Sequence, residues 1–164
     1  MNVKVFSPHL LNDLIATAQH SPRARQHLNI HQSFEDPCQR FLNAVGEHSY
    51  IRPHRHSLDP KDECLIAIRG QFALVAFSDD GQIDQVTRFG TEKYANCNAG
   101  VELPAGLWHT VIALSAQAVL LELKAGPFRS DAAKEPAPWA PAEGSVEAGD
   151  YLVRLRQIID DWQS

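Results

Sequence analysis

The sequence predicts a mainly β domain, a sandwich or barrel of short strands held between helical ends. Three observations predict it. Across residues 50–124 the chain runs in short apolar stretches punctuated by Gly70, Asp79-Asp80-Gly81 and Pro104-Ala105-Gly106, the spacing of an all-β fold. On either side of this region apolar residues recur at helical spacing. The length of 164 residues suits one ordinary domain burying roughly 70% of its unfolded surface and is short for two.

The elements follow in order. Ser7-Pro8 supplies an N-cap and a proline at the first helical position, and Leu10, Leu11, Leu14, Ile15 and Ala18 form a helical stripe. This predicts a helix ending near His20, where Ser21-Pro22 breaks it. Arg23-Ala24-Arg25 then leads into Leu28-Asn29-Ile30-His31. Asp36-Pro37 repeats the cap-plus-proline start, and Phe41, Leu42 and Val45 with Gly46 as a stop predict a second, short helix. Strands are expected at 50–56, 63–69, 72–78, 82–89, 100–103, 109–114 and 118–124. After Gly126-Pro127 an irregular stretch through Pro136, Pro138, Pro141 and Gly144 carries Trp139 and reads as a strap or lid, since connections this long are uncommon without a role. From about Asp150 an amphipathic helix presents Leu152, Leu155, Ile159 and Trp162 on one side. The expected organisation is a single domain over 1–164, with an N-terminal helical segment 1–48, a barrel 49–128, and the strap and C-terminal helix 129–164.

Composition narrows the function classes. With 44% hydrophobic and 21% charged residues the chain reads as a soluble globular protein, and no run approaches the roughly 20 apolar residues of a membrane span. The start, Met1-Asn2-Val3-Lys4-Val5-Phe6, lacks the apolar core of a secretory signal, so a cytoplasmic location is expected. A net charge of -5, a pI near 5.9 and scattered lysines and arginines offer no basic stripe to nucleic acid. Cys38, Cys64 and Cys97 are an odd number at wide spacings, which fits small buried residues in a reducing compartment rather than a disulfide framework. Eight histidines exceed what solubility requires.

The surplus has a pattern. On an extended strand His54 and His56 point to one face and Arg55 to the other, so the two imidazoles can grip one ion together. With Glu63 and His109 they make a ligand set suited to one divalent transition metal, whether iron, manganese, nickel, zinc or cobalt. Glu63 is either a ligand or a carboxylate that orients a ligand histidine. The same parity places Tyr50, a phenol for proton transfer, and Arg52, a clamp for a carboxylate or phosphate, on the interior face. Glu122 and Lys124 alternate against Leu121 and Leu123, which reads first as a solvated face; were that face interior, Glu122 would be the best general-base candidate. Arg23, Arg25, Asn29 and His31 form a further polar cluster whose default reading is surface solvation.

The spacing His54-x-His56, six residues, Glu63, six residues, Gly70 resembles the first motif of the cupin superfamily, and Pro104-x-Gly106-x-x-His109 resembles the second. The gap before Glu63 is longer than the common pattern, and Ala113 replaces the usual asparagine. The resemblance implies a jelly-roll barrel binding one metal through His54, His56, Glu63 and His109, and a homodimer formed by barrel edges. A narrower resemblance covers nearly the whole chain. The run Ser49-Tyr50-Ile51-Arg52-Pro53-His54-Arg55-His56, the upstream Arg23, Arg25, Asn29 and His31, and the downstream Lys124-Ala125-Gly126-Pro127-Phe128 and Pro138-Trp139-Ala140-Pro141 are similar to the WbuC-type cupin fold metalloproteins. That similarity implies sugar or nucleotide-sugar chemistry in surface polysaccharide (O-antigen) biosynthesis, with Arg23, Arg25 and His31 folding over the barrel mouth to meet a small anionic ligand. A metal-dependent isomerase or epimerase is the expected function; an iron(II)-dependent oxygenase and a non-catalytic ligand-binding or sensor module are the alternatives.

Overall fold

Two five-stranded sheets lie face to face in the computed structural model, which describes residues 3–95 and 97–162, and one helix packs on the outer side of each sheet. The order along the chain is α1 (Pro8–His20), β1 (Arg25–Asn29), β2 (Cys38–Val45), β3 (His54–Arg55), β4 (Glu63–Arg69), β5 (Gln71–Phe77), β6 (Ile83–Gly90), β7 (Gly100–Leu103), β8 (Trp108–Ala113), β9 (Ala118–Ala125), β10 (Glu135–Pro136) and α2 (Val146–Asp161). One sheet has the order β1-β2-β9-β4-β7 and the other β10-β3-β8-β5-β6, with antiparallel pairing throughout both. Among the described residues the sheets share no ladder that would close them into a barrel, so the expected closed barrel is an open sandwich of the jelly-roll kind.

Strand alternation distributes the core. Along β5, Phe72 and Leu74 point between the sheets while Ala73, Val75 and Phe77 point outward under α2. Along β8, Val111 and Ala113 point in, and Trp108 and Ile112 out. Leu152, Leu155 and Ile159 cover that outer face from α2, and Leu11, Leu14, Ile15 and Ala18 of α1 cover Leu42, Ala44 and Val119 on the other sheet. Ser7 caps α1 as expected, its Oγ accepting from the Leu10 N–H at 3.2 Å.

The second N-terminal helix does not exist: residues 38–45 form β2. Asp36 does not cap a helix; its carboxylate accepts from the Cys38 N–H at 3.0 Å, an Asx turn, and pairs with Arg40 at 2.9 Å. Phe41, Leu42 and Val45 look helical because both faces of β2 are covered, by α1 on one side and the opposite sheet on the other. Strands β1 and β2 thus belong to a sheet rather than to a helical segment, and β10, unforeseen, ties the strap into the other sheet. The helix α2 begins at Val146, before the expected start, with Ser145 at its N-cap and Gly144 at φ +78° ahead of it. No helix among the described residues is long and apolar enough to cross a membrane.

Candidate metal centre

Three imidazoles converge between the sheets at one end of the sandwich. His54 and His109 are direct partners across β3 and β8, and His56 follows on the same side as His54. One ring nitrogen from each lies within 4.8 Å of the others. Every Nδ1 is committed to a backbone carbonyl: His54 to Arg52 at 3.0 Å, His56 to Ala133 at 2.6 Å and His109 to Leu107 at 2.9 Å. A carbonyl only accepts, so each neutral ring carries its proton on Nδ1 and keeps its lone pair on Nε2.

Glu63 comes to the same point from the opposite sheet. Its Oε2 stands 3.4 Å from Nε2 of both His56 and His109, and its Oε1 pairs with Lys124 Nζ at 2.6 Å. Lys124 is the register partner of Glu63 across β4 and β9, which explains the contact. Burial pushes the Glu63 carboxyl up, but the Lys124 ammonium opposes it most strongly, and the group sits well below its ordinary value. Burial, the His109 ring and Lys134 push the His54 imidazole well below its own.

These residues fit a metal ion. Two imidazole lone pairs face an ionised carboxylate oxygen, an arrangement stabilised by a cation between them. His56 Nε2 is buried with no hydrogen-bond partner among the described residues. Ligands about 2.1 Å from an ion stand about 3.0–3.4 Å apart at octahedral or tetrahedral angles, which matches the 3.4 Å separations at Glu63.

The centre opens into a cavity of about 420 Å³ that also takes in Arg23, Arg25, Asn43, Glu122, Lys124 and Lys134. The polar face of β9 is therefore interior and not solvated. Glu122 accepts from Asn43 Nδ2 at 3.0 Å, and burial together with the neighbouring Glu63 charge pushes its carboxyl up to about 8. Leu65, Val111 and Leu120 supply apolar wall, with Phe41 and Phe128 alongside.

Other expected site residues are elsewhere or otherwise engaged. Tyr50 and Arg52 do not face the cavity, because residues 50–53 are not a strand and the parity argument does not reach them. Tyr50 packs in the core beneath α2 and donates its hydroxyl to Pro141 O at 2.9 Å; Arg52 donates to Ala137 O at 2.6 Å. Arg25 lines the cavity, but its guanidinium is spent on Glu143 at 2.6 and 2.7 Å, Ser49 and the Tyr50 carbonyl. Arg23 also pairs with Glu143, at 3.1 Å. His31 is buried away from the cavity, its Nδ1 against the backbone of Arg40. Sequence reasoning misses Asn43 and Lys134. Asn43 lies in a stretch expected to be helical, and Lys134 in an irregular one that offers no signal.

Fold and site define a class: a double-stranded β-helix fold with a three-histidine cluster between its sheets. Residues 6–89 match the family described as a domain of unknown function (DUF6016), and the chain belongs to that family. No curated protein matches the sequence. Protein SO0799 from Shewanella oneidensis superposes with a TM-score of 0.59 at 10% identity, covering 93% of this chain and 96% of that one. A conserved Klebsiella pneumoniae protein with a double-stranded β-helix domain gives 0.55 at 11% identity, covering 83% and 98%. TT1209 from Thermus thermophilus gives 0.52 at 21% identity, covering 76% and 97%. At these identities the likeness is one of fold.

Proposed function

We propose that the protein binds one divalent transition metal through His54, His56, His109 and Glu63 and brings a small anionic molecule to it. The observation that carries this reading is the set of Nδ1-to-carbonyl bonds, which turns three Nε2 lone pairs toward one point beside a buried carboxylate. A bound ion at that point acts as a Lewis acid on a carbonyl or hydroxyl oxygen. Lys124 and Lys134 favour a negatively charged ligand in the cavity. Glu122, protonated near neutral pH, is placed to give or take a proton at the ligand. The WbuC resemblance adds a substrate class, a sugar or nucleotide sugar, and an isomerase or epimerase type of reaction.

Elemental analysis of protein purified without added metal, compared with His54→Ala and His109→Ala, tests the centre. Stoichiometric metal in wild type and its loss in both variants is expected; equal trace metal in all three overturns the reading. Melting curves with sugar acids and nucleotide sugars, with and without metal, test the ligand: a stabilisation that needs the metal is expected. Stabilisation that does not depend on metal would refute ligand binding at the ion.

A further inference from the structure

We infer that the strap is a working part of the metal centre: the Ala133 carbonyl and the Arg52–Ala137 contact position His56 and His54, so metal affinity and strap docking depend on one another. The inference rests on the metal reading above. Segment 52–57 touches the strap at every residue. The Ala133 carbonyl, 77 positions away in sequence, accepts the His56 Nδ1–H at 2.6 Å and so aims Nε2 into the centre. The Arg52 carbonyl does the same for His54, while the Arg52 guanidinium holds Ala137 O at 2.6 Å. The Ala137 N–H donates to Pro53 O at 2.8 Å, and Pro136 is the register partner of His54 itself. Glu135 grips Arg55 at 2.8 and 3.0 Å and accepts from Ser57. Farther along, Tyr50 reaches Pro141 O, and Arg23 and Arg25 share Glu143.

Strand β3 has only two residues and cannot hold two imidazoles rigid by itself. An imidazole released from its carbonyl is free to rotate or to move its proton to Nε2, and either removes a ligand. Loss of such an orienting partner commonly weakens metal binding about 10–100-fold. Coupling of this kind is reciprocal, so the ion must tighten the strap by the same factor.

Cobalt(II) titration of the full chain, followed by its visible absorption, tests this together with hydrogen exchange of residues 133–143. Cobalt is expected to slow strap exchange in wild type. Glu135→Ala is expected to weaken cobalt binding about tenfold or more and to change the band shape, and Glu135→Gln, which keeps a partner for Arg55 and Ser57, to retain most of the affinity. Strap exchange indifferent to bound cobalt, or Glu135→Ala with unchanged affinity and spectrum, overturns the inference. Should Glu135→Ala fail to fold, Glu143→Ala, which loosens the far end of the strap, takes its place beside wild-type exchange: weakened cobalt binding is expected, and unchanged affinity and spectrum overturn the inference. Wild type taking up no cobalt defeats the metal reading and this inference with it; wild type taking up cobalt beside an unresponsive strap defeats this inference alone.

Discussion

Replacing Lys124 by methionine removes one half of an ion pair and leaves the other half buried. The Lys124 and Glu63 side chains are 18% and 6% exposed, and their 2.6 Å contact supplies Glu63 Oε1 with its only ion-pair partner other than imidazole among the described residues. Breaking a buried pair from one side costs about 3–5 kcal/mol. At about 2–4 °C per kcal/mol for a chain of this size, the metal-free variant should melt about 6–20 °C below wild type. A cation held against Oε2 supplies the missing positive charge, so the metal-saturated variant should lose clearly less and bind metal more tightly than wild type. The assay is a pair of melting curves, with chelator and with saturating metal, for each protein. Equal losses under both conditions would show that Glu63 does not face the ion, and the ligand set would shrink to three histidines.

Two further perturbations probe the strap. Gly81 has φ +85°, and a Cβ there would lie 2.7 Å from the Trp139 ring, so Gly81→Ala should cost about 1–3 kcal/mol and shift tryptophan fluorescence as Trp139 leaves Phe77; denaturant unfolding followed by emission checks both. Burial pushes the Glu143 carboxyl up, but the Arg25 bond and charge, with Arg23, outweigh it and hold the group below its ordinary 4.5. Its contribution to stability is therefore complete above about pH 4.5 and is lost as the pH falls through the lowered folded value. Glu143→Gln should flatten this acid limb of the stability curve, and an acid limb as steep as in wild type would refute the pairing of Glu143 with Arg25 and Arg23.

Much of the centre is legible in the sequence because it depends on local geometry. His54 and His56 share a face over two residues of strand, and Glu63 and His109 lie on strands whose expected bounds are nearly right. What the sequence hides depends on partners distant along the chain. Parity does not carry from His54 back to Tyr50, because the intervening residues form no ladder: Ile51 O accepts from the Thr110 hydroxyl and Pro53 O from the Ala137 N–H of the strap. The stretch containing Phe41 and Leu42 mimics a helix because two covered faces erase the alternation that marks a half-exposed strand. Arg23, Arg25 and Arg52 look like anion clamps because nothing local shows that Glu143 and Ala137 claim them. The inward polar face of β9 is ambiguous in the same way, since alternation shows that the two faces differ but not which one meets water.

The open sandwich has a consequence for mechanical integrity. His54 and His109 belong to one sheet and Glu63 to the other, and among the described residues no ladder joins the two sheets. An ion seated among them would be a cross-link between the two sheets, set inside the sandwich between β3 and β8 on one side and β4 on the other. A bound ion would restrain the sheets from sliding or splaying at that end, so it would set the mouth's width as well as its chemistry.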